Sequence, residues 1–184
     1  MIYILTGPVH SGKTTFLKKV IRELREKKFI IGGFLSESIW KNNECTGYDL
    51  LDLNEEKSFP FIRRTGEKKW QKVGPYFFIP ECLDRAKNII FQNNNADLLI
   101  VDEVGPLEQA GKGLWPALKH VIFQSSINCL LVVRINILDN FLEILNNLEV
   151  KVFDIQNEEI FAQMINELST FLLGVKPILR LGRG

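Results

Sequence analysis

The sequence predicts an α/β fold of three layers, with helices over a mainly parallel sheet that carries a small antiparallel β insertion. Three features predict it. A short apolar run, Ile2 to Leu5, leads into Gly7-Pro-Val-His-Ser-Gly-Lys13-Thr14, after which apolar residues recur at helical spacing. The run Asp97 to Val101 is continuously apolar beyond its first residue, as a strand buried on both faces requires. From residue 80 onward apolar strands alternate with helical periods, whereas residues 40–78 hold several β-like runs and no helical period.

The elements follow in order. Phe16, Leu17, Val20, Ile21 and Leu24 make the apolar face of a first helix ending near Lys27. Phe29 to Ile39 reads as a strand entering a hairpin, with its polar turn at Lys41 to Glu44, and Thr46 to Leu53 and Phe59 to Arg63 continue as short β runs. A helix starts at Pro80, with Leu83, Ala86 and Ile90 on one face, and Asn93-Asn-Asn95 stops it. After the strand Asp97 to Val101 come a helix from Gly113 to Gln124, a strand Cys129 to Val133, a helix around Leu138 to Leu145 and a strand Val150 to Ile155. Ile160, Phe161, Met164, Ile165, Leu168 and Phe171 mark the last helix, with Asn157 as its cap and Glu158 and Glu159 favourable against its dipole. The tail Gly174 to Gly184, basic through Lys176, Arg180 and Arg183, reads as a frayed end. The 184 residues are expected to form one domain, with the insertion at about 40–78 and the frayed tail at 175–184.

A formal net charge of +1 gives no field to gather nucleic acid or an anionic membrane, so neither is an expected partner. Cys45, Cys82 and Cys129 are odd in number and far apart, which argues against a disulfide framework and a thiolate zinc site. They read as reduced thiols. The first residues lack a basic stretch followed by a cleavable apolar one, and no apolar segment approaches membrane-spanning length. The expected location is the cytoplasm, and the expected state a monomer.

The glycine-rich segment carries the chemistry. The pattern G-x-x-x-x-G-K-T between a strand and a helix is the P-loop, or Walker A, arrangement: backbone N–H groups turn inward around phosphates, Lys13 reaches the β and γ oxygens, and the Thr14 hydroxyl serves Mg²⁺. The nucleotide-binding set is therefore Gly7, Pro8, Val9, His10, Ser11, Gly12, Lys13, Thr14 and Thr15. His10 sits at a variable loop position, where its side chain is incidental. The second half of the site is Asp102-Glu103, directly after the buried strand, in the Walker B position. Two adjacent carboxylates there call for a cation. Asp102 is expected to hold Mg²⁺ and Glu103 to orient the attacking water, because ligands of open α/β sheets gather outside the carboxyl ends of the strands. Arg134 follows the strand Cys129 to Val133, and either faces the γ-phosphate or forms an ordinary surface ion pair. His120 falls on a helix surface, and two histidines leave little basis for a His-built metal site or a Ser-His-Asp triad.

GPVHSGKTT, GGFLSES followed by TGYDL, VGPYFF, and VDEVGPLE stand in an order that resembles the THEP-type nucleoside-triphosphatase family, relatives of the cancer-related nucleoside-triphosphatase of animals. The resemblance covers most of the chain. It implies a RecA-like or ABC-like P-loop NTPase core with a β insertion, and Mg²⁺-dependent hydrolysis of nucleoside triphosphates with loose choice of base. It also draws Glu37 and Glu108 to notice without giving them roles. The chain departs from the family pattern at Val9 and His10, where small residues are usual, and at Trp40, where an arginine is common. Two other activities use the same loop: transfer of phosphate to a nucleotide or other small acceptor, for which Arg63-Arg64 and Lys68-Lys69 offer charge, and a slow nucleotide-gated switch sensed through Gly105.

Overall fold

The computed structural model describes residues 1–93 and 95–175. In chain order the elements are β1 (Ile2–Thr6), α1 (Lys13–Glu26), β2 (Ile31–Lys41), β3 (Glu44–Asp52), β4 (Lys57–Arg63), β5 (Lys72–Val73), β6 (Tyr76–Phe78) and α2 (Pro80–Gln92). They continue with β7 (Leu98–Val104), α3 (Pro106–Gln109), α4 (Trp115–Gln124), β8 (Asn128–Val133), a 3₁₀ turn (Ile135–Ile137), α5 (Leu138–Ile144), β9 (Val150–Asp154) and α6 (Ile160–Val175).

The strands make a mixed sheet in the order β5-β6-β4-β3-β2-β7-β8-β1-β9. β2, β7, β8, β1 and β9 are parallel. β3, β4, β6 and β5 extend the same sheet antiparallel from β2. The region expected as an insertion is thus a continuation of the sheet. β2 makes this possible by its length: Ile31 to Phe34 pair with β7, while Phe34 to Lys41 pair with β3. Gly33 lies in the first of these stretches at φ 100°, and a Cβ there would stand 1.9 Å from the Ile100 carbonyl oxygen, so only glycine fits.

Strand alternation splits the apolar residues between two cores. Ile2, Ile4, Leu99, Val101, Leu131 and Val133 point to one face, where α2, α4 and α5 cover them through residues such as Ala86, Leu118 and Phe141. Tyr3, Leu5, Leu98, Ile100, Leu130 and Val132 point to the other, covered by Leu17, Val20 and Leu24 of α1 and Met164 and Leu168 of α6. All five residues of β1 and all six of β8 are buried, which explains why both are apolar apart from Thr6 and Asn128 at their ends.

The hairpin turn is tighter than its polar sequence required: Asn42 and Asn43 both take left-handed backbone, at φ 49° and 62°, so β2 and β3 run right up to it. α4 begins at Trp115 rather than at Gly113, because Gly113 is left-handed at φ 60° and Leu114 forms the cap. At the last helix the Asn157 side chain accepts the Glu159 N–H at 3.0 Å and closes the turn before Ile160. α6 closes at Val175; residues 176–184, with Lys176, Arg180 and Arg183, lie outside the described residues. Among the described residues no helix is long and apolar enough to cross a membrane.

Candidate active site

The loop after β1 is held at both ends. Thr6 Oγ1 donates to the Val133 carbonyl at 3.0 Å, tying the end of β1 to β8, and the Phe16 N–H donates to the Gly12 carbonyl at 2.9 Å, starting α1. His10 and Gly12 take left-handed backbone, at φ 60° and 85°, which curls the chain back on itself. The first turn of α1 holds no acidic residue, so the positive end of its dipole is left for an anion. Lys13 folds over the loop: its ammonium donates to the carbonyls of Gly7 at 3.1 Å and Pro8 at 2.6 Å. Burial pulls Lys13 below the usual lysine range, and the charges of Glu103 and Asp102 oppose that pull.

β7 delivers the two acids. In a regular strand neighbours such as Asp102 and Glu103 face opposite sides of the sheet. Here the pairing with β8 slips between Asp102 and Val104: Asp102 lies opposite Val132, and Val104 opposite Val133. This bulge leaves Glu103 as the extra residue and re-aims its side chain, so that both carboxylates line one cavity with the loop. Thr14 Oγ1 donates to Asp102 Oδ2 at 2.8 Å, and the Ser36 N–H reaches the same oxygen at 3.2 Å. Asp102 is buried at 3% exposure. Burial, reinforced by the Glu103 charge, pushes its carboxyl up to about 7 despite those two hydrogen bonds.

The cavity holds about 200 Å³, with Val9 to Thr15 on one wall and Ser36, Ser38, Trp40, Tyr48, Asp102, Glu103 and Arg134 on the others. Gly7 and Pro8, expected in the binding set, lie outside this lining, and their carbonyls hold Lys13. Arg134, at the end of β8, is ion-paired through Nε to Glu103 Oε1. Of the two alternatives for this arginine the structure shows the ion pair, and both of its members line the loop cavity. Trp40 stands half exposed beside the loop, its ring 5.1 Å from that of His10. Ser36 and Tyr48 also line the site; they stand in the segments GGFLSES and TGYDL, from which the sequence drew the family resemblance but no role for either residue.

Glu37 forms an ion pair with Lys18 on α1 and helps fix β2 against that helix. Glu108 is buried and accepts the N–H groups of Gly105 at 2.8 Å and Leu114 at 2.9 Å, so it braces the loop that follows β7. Because the Gly105 N–H is taken by this bond, it is not free to sense a phosphate as a switch glycine does. His120 lies exposed on α4, outside the cavity lining.

A glycine loop and a buried acid, converging at the ends of parallel strands in an α/β sheet, define a nucleotide-handling protein of the nucleoside-triphosphatase class. A family model described as NTPase matches residues 2–165, and the chain belongs to that family. The chain is 26% identical to nucleoside-triphosphatase THEP1 of Thermococcus kodakarensis over 176 residues, covering 94% of this chain and 96% of the relative. It is 29% identical to the Methanocaldococcus jannaschii THEP1 over 181 residues, covering 96% and 100%. In fold it is similar to the solution structure of a human cancer-related nucleoside triphosphatase, with a TM-score of 0.72 at 20% identity, covering 95% of this chain and 98% of that one. The chain is thus similar over nearly its whole length to relatives of the THEP1 type.

Proposed function

We propose that the protein hydrolyses nucleoside triphosphates, ATP and GTP among them, to the diphosphate and phosphate in a Mg²⁺-dependent reaction, with Glu103 orienting the water. The observation that supports this best is the bond between Thr14 and Asp102, which brings the glycine loop and the acidic strand to one cavity with Glu103 alongside. On this reading residues 1–184 form a single domain, with a three-layer RecA-like or ABC-like core and the antiparallel strands as its insertion.

The donor set fits magnesium. Thr14 Oγ1 and Asp102 offer hard oxygens only, and a carboxylate this buried beside a second carboxylate gains from a cation. Those two residues would hold the ion, which supplies neutralisation of charge on the phosphate oxygens when bound. The remaining work belongs to the chain. Backbone N–H groups between Val9 and Thr15 and the α1 dipole bind the phosphates, and Lys13 exchanges its carbonyl partners for the β and γ oxygens. Trp40, Tyr48 and the loop limit access of bulk water. Glu103 positions one water in line with the γ-phosphorus, and Arg134 holds Glu103 in place from the other side. The cavity lining contacts phosphate through main-chain groups, which favours loose choice of base.

The test is a pair of variants. Glu103→Gln should keep nucleotide affinity and lose turnover by roughly 10² to 10⁴, the range for a positioned acid or base. Lys13→Ala should weaken nucleotide binding itself. A Glu103→Gln enzyme with full phosphate release would remove that residue from the reaction. Phosphate release across ATP, GTP, CTP, UTP and ITP, with and without Mg²⁺, measures both the choice of base and the metal requirement.

A further inference from the structure

A second cavity, of about 140 Å³, lies against the first and shares four wall residues with it: Ser36, Tyr48, Glu103 and Arg134. Its other walls differ in character. Phe61 and Phe78 meet edge to face with centroids 5.3 Å apart, and Tyr48 meets Tyr76 in the same way at 5.6 Å. Pro106 and Leu107 close the side under β7. Such a lining suits a flat ring.

The charges restrict the occupant further. Arg134 is the sole basic residue in this lining among the described residues, and it is committed to Glu103. The arginines nearby on β4 and its end are also engaged: Arg63 with Asp49 at 2.6 Å, and Arg64 with Glu44 at 2.9 Å. No free cation is left among the described lining residues to receive a phosphate, so the occupant is neutral. Of the two carboxylates, Glu108 has both oxygens taken by backbone N–H groups. Glu103 uses Oε1 for Arg134, and its Oε2 has no protein partner among the described residues. That oxygen is an acceptor waiting for a hydroxyl.

We infer that this second cavity binds a neutral, ring-bearing alcohol of the nucleoside kind, and that the enzyme transfers the γ-phosphoryl group to its hydroxyl as well as to water. The inference rests on triphosphate binding at the glycine loop as proposed above. The acceptor hydroxyl gives its proton to Glu103 while its oxygen forms a bond to the γ-phosphorus. The bond from the γ-phosphorus to the bridging oxygen breaks, and its electron pair stays on the departing diphosphate. Glu103 then releases the proton to solvent. Alcohol and NTP become phosphate monoester, NDP and one proton.

The experiment incubates the enzyme with Mg²⁺ and ATP labelled at the γ-phosphorus, in the presence of each of the four ribonucleosides, and separates free phosphate from labelled nucleoside monophosphate. Label is expected on at least one nucleoside. Val73→Trp and Ile62→Trp place an indole in the second cavity and should lower that product by roughly tenfold or more, while phosphate release to water stays within about twofold. Val73 lies on the two-residue edge strand β5, and phosphate release to water reports whether each variant keeps its fold. Label found only in free phosphate with all four nucleosides overturns the inference, as does transfer that both variants leave unchanged. These results differ from failure of the hydrolytic reading, which shows as no phosphate release from ATP without an acceptor.

Discussion

Asp102 is buried beside Glu103, and the two together lift its carboxyl from the usual range to about 7. The unfolded chain ionises this group near 4, so between pH 4 and 7 the native state binds the extra proton. Stability contributed by the protonated form is therefore complete below about 4 and is lost as the pH rises toward 7. In chelator, with no nucleotide present, the wild type should lose on the order of a few kcal/mol across that interval relative to Asp102→Asn, which lacks the titrating group. Urea midpoints measured at several pH values give the difference; parallel curves for the two proteins would mean that Asp102 is not buried as an acid. With Mg²⁺ and nucleotide the slope should flatten, because a cation favours the ionised form. Lys13 shows the converse arrangement. Its partners are carbonyls of its own loop, so the ammonium is already aimed at the place where phosphate oxygens are proposed to lie.

The elements owe their placement to a few local departures from regularity. The segment from Gly105 to Leu114, which contains α3, is braced by the bonds that Glu108 accepts from two N–H groups. Glu108→Gln offers one carbonyl oxygen where two carboxylate oxygens stood, leaving a buried N–H without its partner. The expected cost is about 1 to 3 kcal/mol, read from the unfolding midpoint, and an unchanged midpoint would show that the brace is dispensable. Much at this scale was legible in the sequence. β1, the glycine loop and α1 were plain because apolar period and turn chemistry agree there, and the apolar run of β7 announced the acids behind it. α3, β5 and β6 were not legible: four, two and three residues are too few to display a period, and tertiary contacts hold them. The bulge at Glu103 was hidden for a related reason. Sequence put the two acids side by side, but only the register against β8 turns them to the same side. Ser36 and Tyr48 stand in the segments GGFLSES and TGYDL that carry the family resemblance, but local spacing gave neither a role, because they come to the cavity on β2 and β3 through pairing across the sheet.

For the molecule as a whole, two cores on opposite faces of the sheet fix the strand ends that carry the loop, the acids and Arg134. A ligand bound at those ends by the folded state alone must raise the unfolding temperature. For Glu103→Gln with Mg²⁺ and ATP at a hundred times the dissociation constant, the linkage amounts to about 2.7 kcal/mol. That corresponds to roughly 5 to 10 °C for a chain of this size, measurable by calorimetry. Lys13→Ala at the same concentrations should show much less, and equal shifts in the two variants would place the nucleotide elsewhere.

The length of β2 has one more consequence. Ser36 is at once a rung of the hairpin, paired with Leu50, and the amide that steadies Asp102. Prying the hairpin away from the parallel strands therefore slackens the grip on the buried acid in the same movement. Ser36 also stands in the walls of both chambers, so displacing that one rung alters a wall of each.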